Sequence, residues 1–137
     1  MIEVELSKLI IDEKRHDQLI VLKEKHGRRL LPIVIGLAEI SAIKMKISNL
    51  TPPRPLTHDL FKDTIEKLRA SVEKIVIDRV EESTFYAKIY LKDSSGAELV
   101  LDARPSDSIA LAVRAHTPIF VEEEVLNKAD TLPKENT

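Results

Sequence analysis

"IYLKDSSGAELVLDARPSDSIALA" (Ile89–Ala112) changes hydrophobic period once, and that change sets the fold. Two β-rich runs flank "DSSG", a hairpin turn. From Pro105 the apolar residues take helical spacing, and proline sits at the first helical position, where a missing N–H does no harm. An earlier stretch, "IVLKEKHGRRLLPIVIGLAEISAI" (Ile20–Ile43), matches it without a gap. Ile20/Ile89, Leu22/Leu91, Lys23/Lys92, Gly27/Gly96, Leu30/Leu99 and Ile40/Ile109 are identical pairs. "KLIIDE" (Lys8–Glu13) likewise matches "KIVIDR" (Lys74–Arg79), with one loop insertion absorbing the change of offset. Two βββα halves account for this pattern. A plain hairpin-then-helix in each half would share much of it.

The remaining elements fit around the two halves. "IEVELSKLII" reads as the first strand, and "DEKRHD" as a charged turn. Gly27 in the first hairpin turn can take a positive φ. Pro32 cannot donate to a ladder, so its strand is an edge or is bulged. Leu37, Ile40, Ile43 and Ile47 form the apolar stripe of a helix, which "TPPRP" (Thr51–Pro55) ends. Thr57 is a candidate N-cap for the next helix, which carries Leu60, Phe61, Ile65 and Leu68. "PIFV" is a short strand and "EEEVLNKA" a last helix. The expected fold class is α+β: one domain over residues 1–130 with a mostly antiparallel sheet and about four helices. Residues 131–137 read as a frayed tail.

At 137 residues with 43% hydrophobic and 32% charged side chains, the composition is that of a globular domain. Aromatics are 4% with no Trp, so Ile, Leu and Val must fill the core. No Cys is present, which excludes disulfides and thiolate metal sites. Neither a signal-peptide pattern nor a membrane-length apolar run is seen, so the expected location is the cytoplasm, with no membrane partner. A net charge of −2 argues against binding by bulk phosphate attraction, so any nucleic-acid contact must be local.

Two clusters carry chemistry. In "LDARPSDS", Asp102 ends a strand, while Ser106, Asp107 and Ser108 occupy a helix start, where free N–H groups favour anions. Arg104 offers a planar fork to phosphate or carboxylate. Asp102 and Asp107, with Glu39 early in the first helix, could hold a divalent ion such as Mg or Mn, or act as acid and base. Ordinary capping by Asp107 and a local Arg104–Asp102 ion pair would use the same residues. In "PPRPLTHDL", Arg54, Thr57, His58 and Asp59 stand where a stiff loop enters a helix. His58 there is a candidate proton carrier. "KEKHGRR", with Lys25 and Arg28, is a basic hairpin tip that could track a phosphate backbone or simply be a solvated turn. GxGxxG, P-loop, HExxH and GxSxG motifs are all absent.

At "LPIVIG…E", "PPRPLTHDL" and "LDARPSDSIALAVRA…PIFV" the sequence resembles the bifunctional nuclease domain family, first catalogued as a bacterial domain of unknown function. The resemblance runs from about Leu6 to Ala129. It implies nuclease activity on DNA and RNA. It marks Gly36, Glu39, Pro53, Arg54, Pro55, Thr57, His58, Asp59, Asp102, Ala103, Arg104, Pro105, Ser106 and Asp107 as motif positions, without assigning their roles. Ser108 stands where the family more often has Ala.

The expectation is a phosphodiesterase in which His58, Asp59, Asp102, Arg104 and Asp107 are catalytic. Arg54, Thr57, Ser106, Lys25 and Arg28 would bind substrate. Asp102, Asp107 and Glu39 would hold the metal. The alternatives are a non-catalytic anion- or protein-binding regulatory module and an oligomeric scaffold. Short edge strands with Ile- and Val-rich surfaces favour a homo-oligomer. All the catalytic readings require the two motif loops to meet in one cleft.

Overall fold

Each of the two halves folds as a three-stranded meander that runs into a helix. In the computed structural model, which describes residues 1–129, the first half is β1 (Ile2–Ile10), β2 (Asp17–Glu24), β3 (Leu30–Gly36) and α1 (Leu37–Ile47). After α2 (Thr57–Lys67), the second half repeats the order: β4 (Ser71–Glu81), β5 (Thr84–Lys92), β6 (Glu98–Ala103) and α3 (Pro105–Ala115). β7 (Ile119–Val121) and α4 (Glu123–Ala129) complete the described fold.

One seven-stranded sheet results, in the order β3-β2-β1-β7-β4-β5-β6. β7 is the joint between the halves: it pairs antiparallel to β1 and parallel to β4. The two meanders therefore run in opposite senses on either side of it. Their registers agree in detail. A bulge between Leu6 and Lys8 in β1 is matched by one between Val72 and Lys74 in β4. Lys8↔Val21 and Leu9↔Ile20 then correspond to Lys74↔Tyr90 and Ile75↔Ile89.

The ungapped match fails after the turn. The first hairpin closes on Lys23↔Leu30 and the second on Lys92↔Glu98, so the second loop is one residue shorter. With side chains alternating along a strand, that residue decides which face each one takes. The true counterparts of Leu31, Ile33 and Ile35 are Leu99, Leu101 and Ala103. Gly36 corresponds to Arg104, and Glu39 to Asp107, each pair holding the same place in its helix.

The core is Ile- and Leu-rich. Ile20, Leu22, Ile40, Ile43, Ile75, Ile77, Ile89, Ile109 and Leu111 are fully buried. Truncating one of them to Ala removes about 2–5 kcal/mol. The helical stripes are narrower than the sequence suggested: Leu37, Ile47, Leu60 and Leu68 lie exposed at helix ends or on outer faces. Pro32 sits on the edge strand β3, without a bulge.

Two local readings change. Gly27 has no positive φ; Gly96 does, at 88°. A Cβ at Gly27 would instead press on the Glu24 carboxylate, which Arg29 holds in place. Thr57 is the first helical residue of α2 and not its cap. Leu56 is the N-cap, and Asp59 Oδ2 accepts its backbone N–H at 2.9 Å. The tail expected at residues 131–137 lies outside the described residues.

Candidate active site

β3 and β6 are opposite edges of the sheet, yet Gly36, which ends β3, and Arg104, which follows β6, line one cleft. The sheet is thus coiled, and the starts of α1 and α3 converge. α2 adds its own first turn. Three helix starts meet in this way, and each brings one or two chemical groups.

Asp107, in the first turn of α3, stands at the centre. Its Oδ1 contacts His58 Nε2 at 2.9 Å and receives Arg104 Nη2 at 3.2 Å; its Oδ2 receives Arg104 Nε at 2.9 Å. The arginine fork continues to Glu39, with Nη1 3.5 Å from Oε1. Gly36 makes this possible, since a Cβ there would strike the Glu39 carboxylate. Burial opposes the charge on Asp107, but hydrogen bonds from Arg104 and His58 and the charge of Arg104 outweigh it. The carboxyl is held below the ordinary range. Asp107 is therefore ionised and can only accept, so His58 donates from Nε2, and Nδ1 is the ring nitrogen that Asp107 does not engage. The His58 side chain is 14% exposed, whereas that of Arg104 is 65% exposed.

Glu39, Thr57, His58, Arg104 and Asp107 line a cleft of about 460 Å³ walled by Ala38, Ala42, Met45 and Leu56. The two motif loops do meet. Other expected residues fall elsewhere. Arg54 is exposed in the loop before α2 and lines neither this cleft nor its neighbour. Asp102 is on the open edge of β6, 3.7 Å from Lys88, and also lines neither. Ser106 is buried but reaches the neighbouring hollow. Lys25 is at the β2–β3 tip, paired with Glu3 at 3.2 Å, and Arg28 is exposed beside it. That tip is tied down by Arg29, which bonds Glu24 at 2.7 Å and Glu123 of α4 at 2.6 Å.

Asp59 has a holding task. Its Oδ1 accepts Arg114 Nε at 2.7 Å while Oδ2 caps α2, so both oxygens are engaged. Arg114 is buried and also donates to the carbonyls of Ala110 and Ala42, which joins α1, α2 and α3. Sequence reasoning missed Arg114. Its one signal was a lone cation at the end of the apolar run "SIALAVRA".

The donors do not fit the expected divalent ion. Among the described residues no group of three or more His, Asp or Glu side chains is gathered to hold a metal. Both oxygens of Asp107 are committed to Arg104 and His58, Glu39 faces Arg104, and Asp102 stands apart.

The starts of three helices thus turn a carboxylate-bonded histidine and a forked arginine into one cleft of an α+β domain. A match to the Bifunctional nuclease domain covers residues 20–134, and the chain belongs to that family. An uncharacterized protein of Mycobacterium tuberculosis is 39% identical over 130 residues, which is 95% of this chain and 77% of that protein. Bifunctional nuclease 2 of Arabidopsis thaliana is 37% identical over 106 residues, and bifunctional nuclease 1 of Oryza sativa subsp. japonica 26% over 116. These matches cover 74% and 83% of this chain but only 32% and 35% of the plant proteins. No helix among the described residues is long and apolar enough to cross a membrane.

Proposed function

We propose that this chain hydrolyses phosphodiester bonds in DNA and RNA, with His58 as the proton carrier, Asp107 as its orienting partner and Arg104 as the phosphate ligand. The observation that carries the reading is the 2.9 Å contact of His58 Nε2 with Asp107 Oδ1 in a cleft shared with Arg104. With Nε2 committed, Nδ1 takes the proton of the attacking water or 2′-hydroxyl. The new P–O bond forms as the old one breaks, and the proton passes to the leaving oxygen. Arg104 turns its exposed N–H groups to the phosphoryl oxygens as charge grows there. Asp107 also orients the Arg104 fork, Glu39 tempers its charge, and Thr57 lines the approach. Asp59 is assigned to positioning, through Arg114. No step is routed through a metal ion, because Asp107 is engaged by Arg104 and His58 and Asp102 stands apart from it.

The test is cleavage of a labelled DNA and a labelled RNA by purified wild-type protein, His58→Ala and Asp107→Asn, each with and without EDTA. Loss of about 10²–10⁴ in rate in both variants is expected. Equal rates in all three proteins point to a contaminating nuclease and end the proposal.

One observation favours a second reading. Glu39 and Asp107 both sit on Arg104, so the cluster is less cationic than a phosphate site usually is. A non-catalytic module that holds an anion or an acidic protein segment would bind saturably without turnover. Either reading includes a homo-oligomer, supported by the exposed apolar residues of β6.

A further inference from the structure

The Arg104 cleft does not end at Arg104. Beside it lies a second hollow of about 360 Å³ that shares Glu39 and Arg104 with the first. Its wall is the β4–β5 turn, with Ser83, Thr84 and Phe85, faced by Asp17 at the start of β2. Phe85 is the one Phe, Tyr or Trp that lines either cleft among the described residues. It is partly buried and packs against the core.

A phosphodiester held at Arg104 sends its two nucleosides in opposite directions. With two hollows meeting at Arg104, each nucleoside has a place. The two differ in chemistry. The first has aliphatic walls of Ala, Met and Leu. The second is lined by a phenyl ring and two hydroxyl-bearing residues. Every nucleobase has a π-face, so stacking on an aromatic ring is tolerant of sequence. A base can reach Phe85 only after leaving its own stack and its partner strand, which an unpaired strand does at far lower cost than a duplex.

We propose that the Phe85 hollow is the subsite for the nucleobase next to the scissile phosphate, and that it makes this chain selective for unpaired strands. The inference rests on the phosphodiester reading above and adds the substrate class. Ser83 and Thr84 meet the edge of the base, and Phe85 its face.

The experiment compares the full chain with Phe85→Leu, which keeps the apolar packing and removes the π-face; circular dichroism checks that both are folded. Each is assayed on a labelled single-stranded oligodeoxynucleotide and on the same strand annealed to its complement. Wild-type protein should cleave the single strand at least ten-fold faster at low substrate. Phe85→Leu should raise KM for the single strand by about 5- to 100-fold, with a smaller change in kcat. A duplex cut as fast as the single strand, or an unchanged KM in folded Phe85→Leu, overturns the subsite while the His58 and Asp107 variants still show loss. If those variants keep full rate, both readings fall together. A binding readout separates affinity from turnover: Asp107→Asn should hold the single strand several-fold more tightly than Asp107→Asn/Phe85→Leu does, by fluorescence anisotropy.

Discussion

Arg104 shares its charge between two carboxylates, and the sharing is unequal. It meets Asp107 at 2.9 and 3.2 Å but Glu39 only at 3.5 Å. Asp107 thus orients the fork, and Glu39 mainly dilutes its charge. Glu39→Gln removes a negative charge beside the phosphate position while leaving the Asp107 contacts in place. Binding of a single-stranded oligonucleotide should tighten by up to about five-fold, the range of an exposed ion pair, and titration by anisotropy checks it. Arg104→Lys keeps the charge but loses the fork, so it should lose most of the activity despite the conserved sign. Initial rates beside wild type test this. His58, Arg104, Asp107 and Glu39 were legible because each stands at a helix start in a polar cluster that apolar elements do not require. Asp59 was legible as a residue but not in its task, because its partner Arg114 is separated from it by 55 positions. Phe85 was silent, since one aromatic in a strand looks like core.

Arg114 binds three helices together, and its dependence on Asp59 is the sharpest stability statement the fold makes. Its side chain is 3% exposed, so removing Asp59 would leave a buried cation without its counter-charge. Asp59→Ala should therefore destabilise the protein by about 3–5 kcal/mol, seen as a lower thermal midpoint with the clefts collapsing together. The charge also sets an acid limit. Burial opposes ionisation of Asp59, but the Leu56 N–H and Arg114 outweigh it and depress its pKa. The unfolded chain then binds the proton more readily than the folded one. The contribution is complete above the ordinary aspartate range and is lost as pH falls through the depressed value. Wild-type stability should fall with pH in that acid window, and the slope should flatten in Asp59→Asn. At the β4–β5 turn, Glu82 and Ser83 have φ of 48° and 70°, a two-residue hairpin turn built without the usual Asn or Gly. Glu82→Asn with Ser83→Gly should stabilise by about 1 kcal/mol, readable by chemical denaturation. Strands and helices were legible from their periods. The one-residue slip between the hairpins was not, because identities on both sides of the turn concealed it.

Coiling of the sheet is what turns two repeated halves into one site, and no pattern in either half foretells it. The same repetition exposes a difference between the edges. On β3, Leu31 and Ile33 are buried, and Pro32 interrupts the free ladder. α4 contacts β3 on this side of the molecule. On β6 the counterparts Leu99 and Leu101 are 46% and 38% exposed, with Val100 at 47% on the other face. Nothing guards the middle of this edge: its charges, Glu98 and Asp102, stand toward its ends. Such an edge pairs with another chain unless it is covered. If β6 is where copies of this chain associate, light scattering should give wild-type protein a mass of at least two chains at micromolar concentration. Val100→Lys would place an ammonium in the apolar contact and should return the mass to one chain, with the circular dichroism spectrum unchanged. A monomeric wild type, or a Val100→Lys variant of undiminished mass, removes β6 as the contact. The clefts open at the helix starts and not along β6, so the monomeric variant should keep its cleavage rate, which separates assembly from chemistry.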